Sequence, residues 1–275
     1  MLEIKSKNTG AELTSIKLDG KEMLYQGEIW NRHAPILFPI VGKLKNDQTI
    51  INGKTYHMGQ HGFARDMKFK DLEKSNLKHK YVLESNSETL EKFPFKFSLY
   101  VTHTVKEDSL ETKYKVVNKD KKKMMIFGLG GHPAFICDYS SGKYSVEFEK
   151  KENNIKFMSL SKGLILEKES PNILEYNCIK LNKNSFVKDA IIMKDIESNK
   201  VYLKENEKKV LEFDFTGFPY LGLWAKIGAP FVCIEPWMNT ADKVNTDGKL
   251  ESKENILKLM PNEEFECSYK VKFYK

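Results

Sequence analysis

Apolar and polar residues alternate along most of this chain with the two-residue period of half-buried strands, and turn residues interrupt the alternation roughly every 8 to 12 positions. Strands are expected over residues 12–18 and 22–25, set off by Asn8-Thr9-Gly10 and Asp19-Gly20. Asn52-Gly53 marks a tight hairpin between 48–51 and 54–57, because these two residue types tolerate the positive φ that a two-residue turn demands. From Asp66 to Asn118 strands follow one another over 67–72, 80–84, 95–105 and 110–117, rich in Thr, Val, Tyr and Phe. Further strands are expected over 144–148, 164–166, 185–193, 201–205, 210–215, 221–227, 231–234 and 265–273. No segment has the pattern of a helix longer than two turns. Residues 29–44 break the alternation with Pro35 and Pro39, which exclude a central strand and suggest an ordered loop or short helix packed over a sheet. About twenty short strands with turns between them imply an all-β fold. At 275 residues, a large antiparallel β-sandwich forming one domain over 1–275 is expected.

Composition narrows the class. Hydrophobic residues make up 40% and charged residues 30%, as in a soluble globular protein. There is no apolar run long enough for a membrane span and no h-region at the N-terminus, so neither export nor a membrane anchor is expected. The four cysteines, Cys137, Cys178, Cys233 and Cys267, form no CxxC pair and read as reduced thiols, which suits a cytoplasmic location. A net charge of +7 invites a nucleic-acid reading, but only Arg32 and Arg65 are arginines and the lysines are interleaved with Glu and Asp. Bidentate phosphate and base recognition favours clustered Arg, so nucleic acid is not an expected partner. The two arginines stand out for the same reason.

Three polar groups are set in apolar, backbone-constrained surroundings. His132 lies in Gly130-Gly131-His132-Pro133, where glycines permit close approach or positive φ and proline fixes the exit, so the main chain aims the imidazole. A satisfied histidine in a hairpin would look the same. His61, in Gly59-Gln60-His61-Gly62, is also flanked by glycines, with Arg65 four residues on. Its spacing from His57 fits an HxxxH metal pair, but only on a helix, which the local glycine content opposes. Glu235 follows the apolar run Phe231-Val232-Cys233-Ile234 and precedes Pro236-Trp237; a carboxylate there must be paired, perturbed in pKa, or ion-paired with an arginine. His103, between two threonines of an alternating strand, reads as structural.

The motifs Phe38-Pro39-x-x-Gly42, Gln60-His61-Gly62-Phe63-Ala64-Arg65, Gly131-His132-Pro133-x-Phe135, Phe218-Pro219-Tyr220-Leu221-Gly222-x-Trp224 and Cys233-Ile234-Glu235-Pro236-Trp237 occur in an order that resembles the aldose 1-epimerase (galactose mutarotase) family, and within it the LacX-type epimerase-like branch. The resemblance implies a galactose mutarotase-like supersandwich and interconversion of the α and β anomers of a free sugar by ring opening, without a cofactor or metal. It also implies roles: Glu235 as the base on the C1 hydroxyl, His132 as the acid on the ring oxygen, His61 and Asp189 as sugar-binding groups. Acid and base chemistry on one ring suits a protonated His132 facing an ionised Glu235. The rings of Phe63, Phe135 and Trp237 are candidates for stacking on a pyranose, or for core filling.

The chain departs from the galactose-specific pattern at Gly42-Lys43-Leu44-Lys45-Asn46-Asp47, where the family carries arginines. Arg65 is positioned to supply the guanidinium, and Lys43 with Arg65 would also suit the phosphate of a hexose 6-phosphate. The expected partner is a sugar or sugar phosphate, and the chain a monomer or homodimer. Two readings from other classes stay open: a non-catalytic carbohydrate-binding or regulatory protein, and a metal-dependent enzyme using His57, His61 and His132.

Overall fold

The computed structural model describes residues 1–275, and almost all of its regular structure is antiparallel sheet. Nine strands form the larger sheet, in the order Cys178–Lys180, Tyr144–Phe148, Lys200–Glu205, Lys208–Asp214, Glu264–Phe273, Ser109–Asn118, Phe97–Lys106, Lys78–Glu84 and Lys70–Lys74. The second sheet has eight: Leu164–Ser170, Lys156–Ser161, Ile191–Lys194, Tyr220–Trp224, Phe231–Trp237, Gly130–Gly131 and Ile36–Leu37 in line, with Ala134–Ile136 also pairing Phe231–Trp237. Smaller ribbons complete the fold, including the hairpin Gln48–Ile51/Lys54–His57, whose turn residues Asn52 and Gly53 both take the positive φ expected of them.

Alternation explains where each sheet hides its apolar side. Ser109–Asn118 alternates half-buried and buried along all ten residues, so Leu110, Thr112, Tyr114 and Val116 point inward. The outward positions carry lysines that pair diagonally with carboxylates on the next strand, as in Lys113–Glu266 and Lys115–Glu264. Much of the positive charge is thus spent in cross-strand pairs rather than gathered into a patch. Such exposed pairs are worth only about 0–1 kcal/mol each, so they solubilise the face more than they stabilise it.

Between the sheets the core is aromatic. Phe135 packs edge-on against Phe213 and Phe273 of the nine-stranded sheet, 6.1 and 6.2 Å away. Phe63 lies among Phe38, Phe93 and Phe97. Both phenylalanines are therefore core residues, and the expectation that they stack on a sugar is corrected. Phe135 pairs in register with Val232, which period two turns away from Glu235, so its ring has to face the other sheet.

The remaining differences are local. Residues 185–190 form turns instead of the start of a strand, and Phe231–Trp237 continues through Pro236, beyond the expected end at Ile234. One helical turn and a half, Ser87–Lys92, is closed by a reciprocal cap in which Asn86 accepts from the Thr89 amide while the Thr89 hydroxyl accepts from the Asn86 amide. Residues 29–44 are mostly loop, with the two-residue strand Ile36–Leu37 joining the sheet edge. The four cysteines are free, and no helix is long and apolar enough to cross a membrane.

Gly131 shows how tightly the sheets approach. A Cβ there would sit 2.8 Å from the Tyr269 ring and 3.0 Å from the Tyr114 hydroxyl. Gly131→Ala should lower stability by about 1–3 kcal/mol through overpacking. Gly59→Ala, where a Cβ meets nothing within 4 Å, should leave it unchanged or slightly raised. Urea denaturation midpoints of the two variants check this, and equal midpoints would contradict it.

Candidate active site

One face of the eight-stranded sheet collects the candidate residues. Residues paired across strands share a face, and the register pairs Gly222 with Glu235, Tyr220 with Trp237, Trp224 with Cys233 and Ile192 with Gly222. Glu235, Trp237, Trp224 and Ile192 therefore all project to the side away from the nine-stranded sheet. Gly130 pairs with Trp237, so alternation turns Gly131 toward the core and His132 toward the same outer face. The glycine run serves close approach, since Gly130 and Gly131 do not take positive φ. A Cβ at Gly130 would come within 2.9 Å of the Trp237 indole, and one at Gly222 within 3.0 Å of its other end.

These residues floor a cavity of about 390 Å³ whose walls come from loops. Trp30, Gly42, Lys43, Gln60, His61 and Arg65 close one side. The hairpin tip Lys162-Gly163 meets this wall at Lys43, 3.3 Å from where a Gly163 Cβ would lie, and Asp189 and Ala190 complete the lining. Of the residues singled out in the sequence, His132, Glu235, His61, Arg65, Asp189, Lys43 and Trp237 meet here; Phe135 does not, and His57 lies on an exposed strand facing elsewhere. Sequence reasoning gave no site role to Trp30, Trp224 or Lys162. Trp224 closed a quoted motif and Trp30 sat in a loop rich in prolines, but Lys162 carried no signal, because only the pairing of Lys156–Ser161 with Leu164–Ser170 delivers it.

His132 Nε2 lies 3.2 Å from Glu235 Oε2, and both side chains are almost wholly buried. The approach is close but off the line of a formed hydrogen bond, and His132 Nδ1 and Glu235 Oε2 have no other partner. Burial holds the His132 ring down to about 3, with Arg65 and Arg32 adding to the effect. Burial likewise pushes the Glu235 carboxyl well above the carboxylate range; Asp189 adds to this and the nearby Trp237 indole N–H opposes it. An ion pair at this separation would gain about 5 kcal/mol at an effective dielectric near 20. Several kcal/mol of desolvation per ion stand against that gain. Burial tips this close balance to a neutral pair, with the single proton on the carboxyl. Burial therefore opposes the expected arrangement of a protonated histidine facing an ionised glutamate. The two arrangements hold the same number of protons, so hydrogen bonds from a bound ligand, not pH, decide between them.

His61 is locked from both sides by Gly42. The Gly42 N–H donates to His61 Nδ1 at 3.0 Å, and the His61 N–H donates to the Gly42 carbonyl at 2.9 Å. Nδ1 is thereby the acceptor and Nε2 carries the hydrogen, so the Gln60 side-chain amide 3.3 Å away must turn its oxygen, not its nitrogen, toward Nε2 to accept it. Holding His61 at φ 67° costs about 1–3 kcal/mol, which these bonds offset. Gly42 itself needs φ 71°, and a Cβ there would strike Ala241 at 2.6 Å. A buried Lys253–Asp242 pair at 2.6 Å, with Asp242 also accepting from the Lys45 amide, fixes Ala241 against this segment. Burial holds the His61 ring well below its ordinary value, and His132, Arg65 and Arg32 push the same way. Arg65 donates to the Gln60 carbonyl at 2.8 Å. Arg32 pairs with Asp66 at 2.8 Å, so neither arginine neutralises Glu235. Asp189 is exposed at the rim with φ 106°, a strained value for a non-glycine residue.

The donor atoms of His132, Cys233 and Glu235 lie within 4.8 Å of one another. Burial raises the Cys233 thiol well above its usual range, so this group offers a protonated thiol beside an acid–base pair rather than a ready thiolate ligand.

Comparison with known proteins gives a consistent set of relatives. The family model described as aldose 1-epimerase matches residues 2–254. The plasmid and chromosomal LacX proteins of Lactococcus lactis subsp. lactis are each 33% identical over 286 residues, covering 98% of this chain and 96% of theirs. A galactose mutarotase related enzyme from Lactobacillus acidophilus superposes with a TM-score of 0.91 at 32% identity, covering all of this chain and 95% of its own. A galactose mutarotase-like protein from Lactobacillus casei also gives 0.91, at 31% identity over 99% of this chain and 97% of its own.

An NMR titration of the histidine ring protons checks the electrostatics. The His132 resonance should stay in place as pH falls through 6.5 and move only as it nears about 3, because a depressed pKa keeps the ring neutral above that value. A midpoint near 6.5 would contradict the buried neutral pair.

Proposed function

The chain belongs to the aldose 1-epimerase family, and on that premise we propose that it interconverts the α and β anomers of an aldohexose. The observation that carries the reading is the contact between His132 and Glu235 at the floor of a pocket large enough for one sugar ring. A sugar entering the pocket brings a donor, the C1 hydroxyl, to Glu235 and an acceptor, the ring oxygen, to His132. Those two hydrogen bonds favour the arrangement in which Glu235 is ionised and His132 protonated. Glu235 then takes the hydroxyl proton while His132 gives its proton to the ring oxygen; the C1–ring-oxygen bond breaks and C1 becomes a carbonyl. The pair is now neutral, the state that burial favours, so the low-dielectric site assists ring opening. Rotation about C1–C2 and the reverse proton transfers close the ring on the other face.

The other residues take supporting roles in this proposal. His61 presents Nε2–H towards the oxygens near C1, where negative charge develops. Trp237 supplies an apolar surface for a pyranose, and Asp189 and Arg65, both lining the pocket, bind hydroxyls. A 6-phosphorylated hexose is the second reading, favoured by one observation: Lys43, Lys162 and Arg65 all line the pocket, and neither lysine has a carboxylate partner there. A binding protein without activity would not need an acid and a base in contact.

Anomerisation of freshly dissolved α-glucose, α-galactose and their 6-phosphates, followed by proton NMR, tests these readings. His132→Ala and Glu235→Gln should each lower kcat/KM by about 10²–10⁴-fold with unchanged circular dichroism. Sugar binding by calorimetry without rate enhancement in the unmodified protein would overturn catalysis in favour of a binding role. Lys162→Ala should raise KM for the 6-phosphates and not for the free sugars if phosphate is the natural feature.

A further inference from the structure

The geometry points to Trp30 as a positioning residue for the acid: its indole face stabilises the protonated form of His132. The inference rests on the anomerisation reading above. The two rings stack with centroids 5.2 Å apart and planes 28° apart. The same indole continues the stack onto Phe231 at 5.3 Å and makes a steep contact with Trp224, 5.7 Å away at 65°. The face of a tryptophan carries the negative part of its quadrupole, and a cation within about 6 Å of the centroid is attracted to it, more so where water is excluded. His132 is only 7% exposed, so the attraction is little screened.

The charges that face His132 leave room for such a contribution. Glu235, from the neighbouring strand, favours the imidazolium. Arg65 and Arg32 oppose it. His61, a neutral ring, and Trp224 stand at steep angles to the His132 ring, 87° and 81°, with centroids 5.5 and 5.6 Å away. Asp189, which also lines the pocket, acts on Glu235 and disfavours its ionised form. Trp30 alone among these aromatic neighbours is stacked on His132, and it adds no formal charge to the pocket.

Trp30 lies outside any strand, yet its segment is anchored. The buried Glu12 carboxylate accepts from the His33 and Ala34 amides at 2.7 and 3.1 Å and pairs with Lys7 at 2.6 Å. Arg32 is tied to Asp66 at 2.8 Å. The His33 carbonyl accepts from the Ala134 amide at 2.8 Å, joining the loop to the residue two positions after His132. The stack is therefore held from the backbone, not by the rings alone.

Trp30→Leu, Trp30→Phe and Trp30→Met, made in the unmodified chain and in a His132→Ala background, test the assignment by kcat and KM for anomerisation. Trp30→Leu should lower kcat about tenfold, equivalent to ~1.4 kcal/mol. KM should stay within about twofold, and Trp30→Phe should retain most of the rate. The loss should run across the pH plateau, where both tautomers of the pair hold equal numbers of protons, and the acid limb should move to lower pH, since the doubly protonated pair also carries the imidazolium that Trp30 stabilises. In the His132→Ala background the effect should vanish. Trp30→Met, apolar and similar in bulk, should repeat the Leu result and guards against a folding defect in that variant. An equal loss in both backgrounds, or a change confined to KM, would overturn the inference and make Trp30 a surface for the sugar. Full activity of His132→Ala would overturn the acid assignment beneath it.

Discussion

Burying an imidazole and a carboxyl side by side is the constraint on which the site depends. Each group alone would resist charge in that environment; together they can carry one proton in two arrangements whose energies lie close. The Coulomb gain of the charged form and the desolvation of its two ions are both several kcal/mol, so a contact worth one or two decides which form prevails. This makes the pair sensitive to what a ligand offers. A hydroxyl donor on one side and an ether oxygen on the other match the charged form, and an opened ring matches the neutral one.

The fold supplies this arrangement through register. Neighbouring strands of the eight-stranded sheet put Glu235 opposite Gly222 and Trp237 opposite Gly130, so small residues sit where the functional side chains need space. The opposite parity, Gly131 and Phe135, locks the sheet to its nine-stranded partner. A one-residue slip would bury His132 between the sheets and expose the core face, so packing and site geometry enforce each other. Loops then finish the pocket: Gly42 fixes the His61 tautomer, and the Glu12-anchored segment lays Trp30 over His132.

Much of this was legible from residue order. Alternation located most of the long strands, the Asn52-Gly53 hairpin, and the polar groups His132, His61 and Glu235 in their apolar settings. It failed where local pattern does not decide. Phe135 and Trp237 look alike as aromatic rings beside polar residues, and only the register shows that one faces the core and the other the pocket. Pro236 suggested an early strand end, yet Phe231–Trp237 runs through it. Lys162 reaches the pocket by a hairpin whose partner strand, Lys156–Ser161, had no clear periodicity. The protonation preference of the pair is hidden for a related reason: sequence shows that a carboxylate is near apolar residues but not that its partner is buried as deeply.

A structure of the Glu235→Gln variant with an aldose bound would test the central claim most directly. The account requires the C1 oxygen within about 2.6–3.2 Å of the residue 235 side chain and the ring oxygen within the same reach of His132 Nε2. A sugar bound with C1 pointing away from this pair, or held elsewhere on the protein, would contradict it.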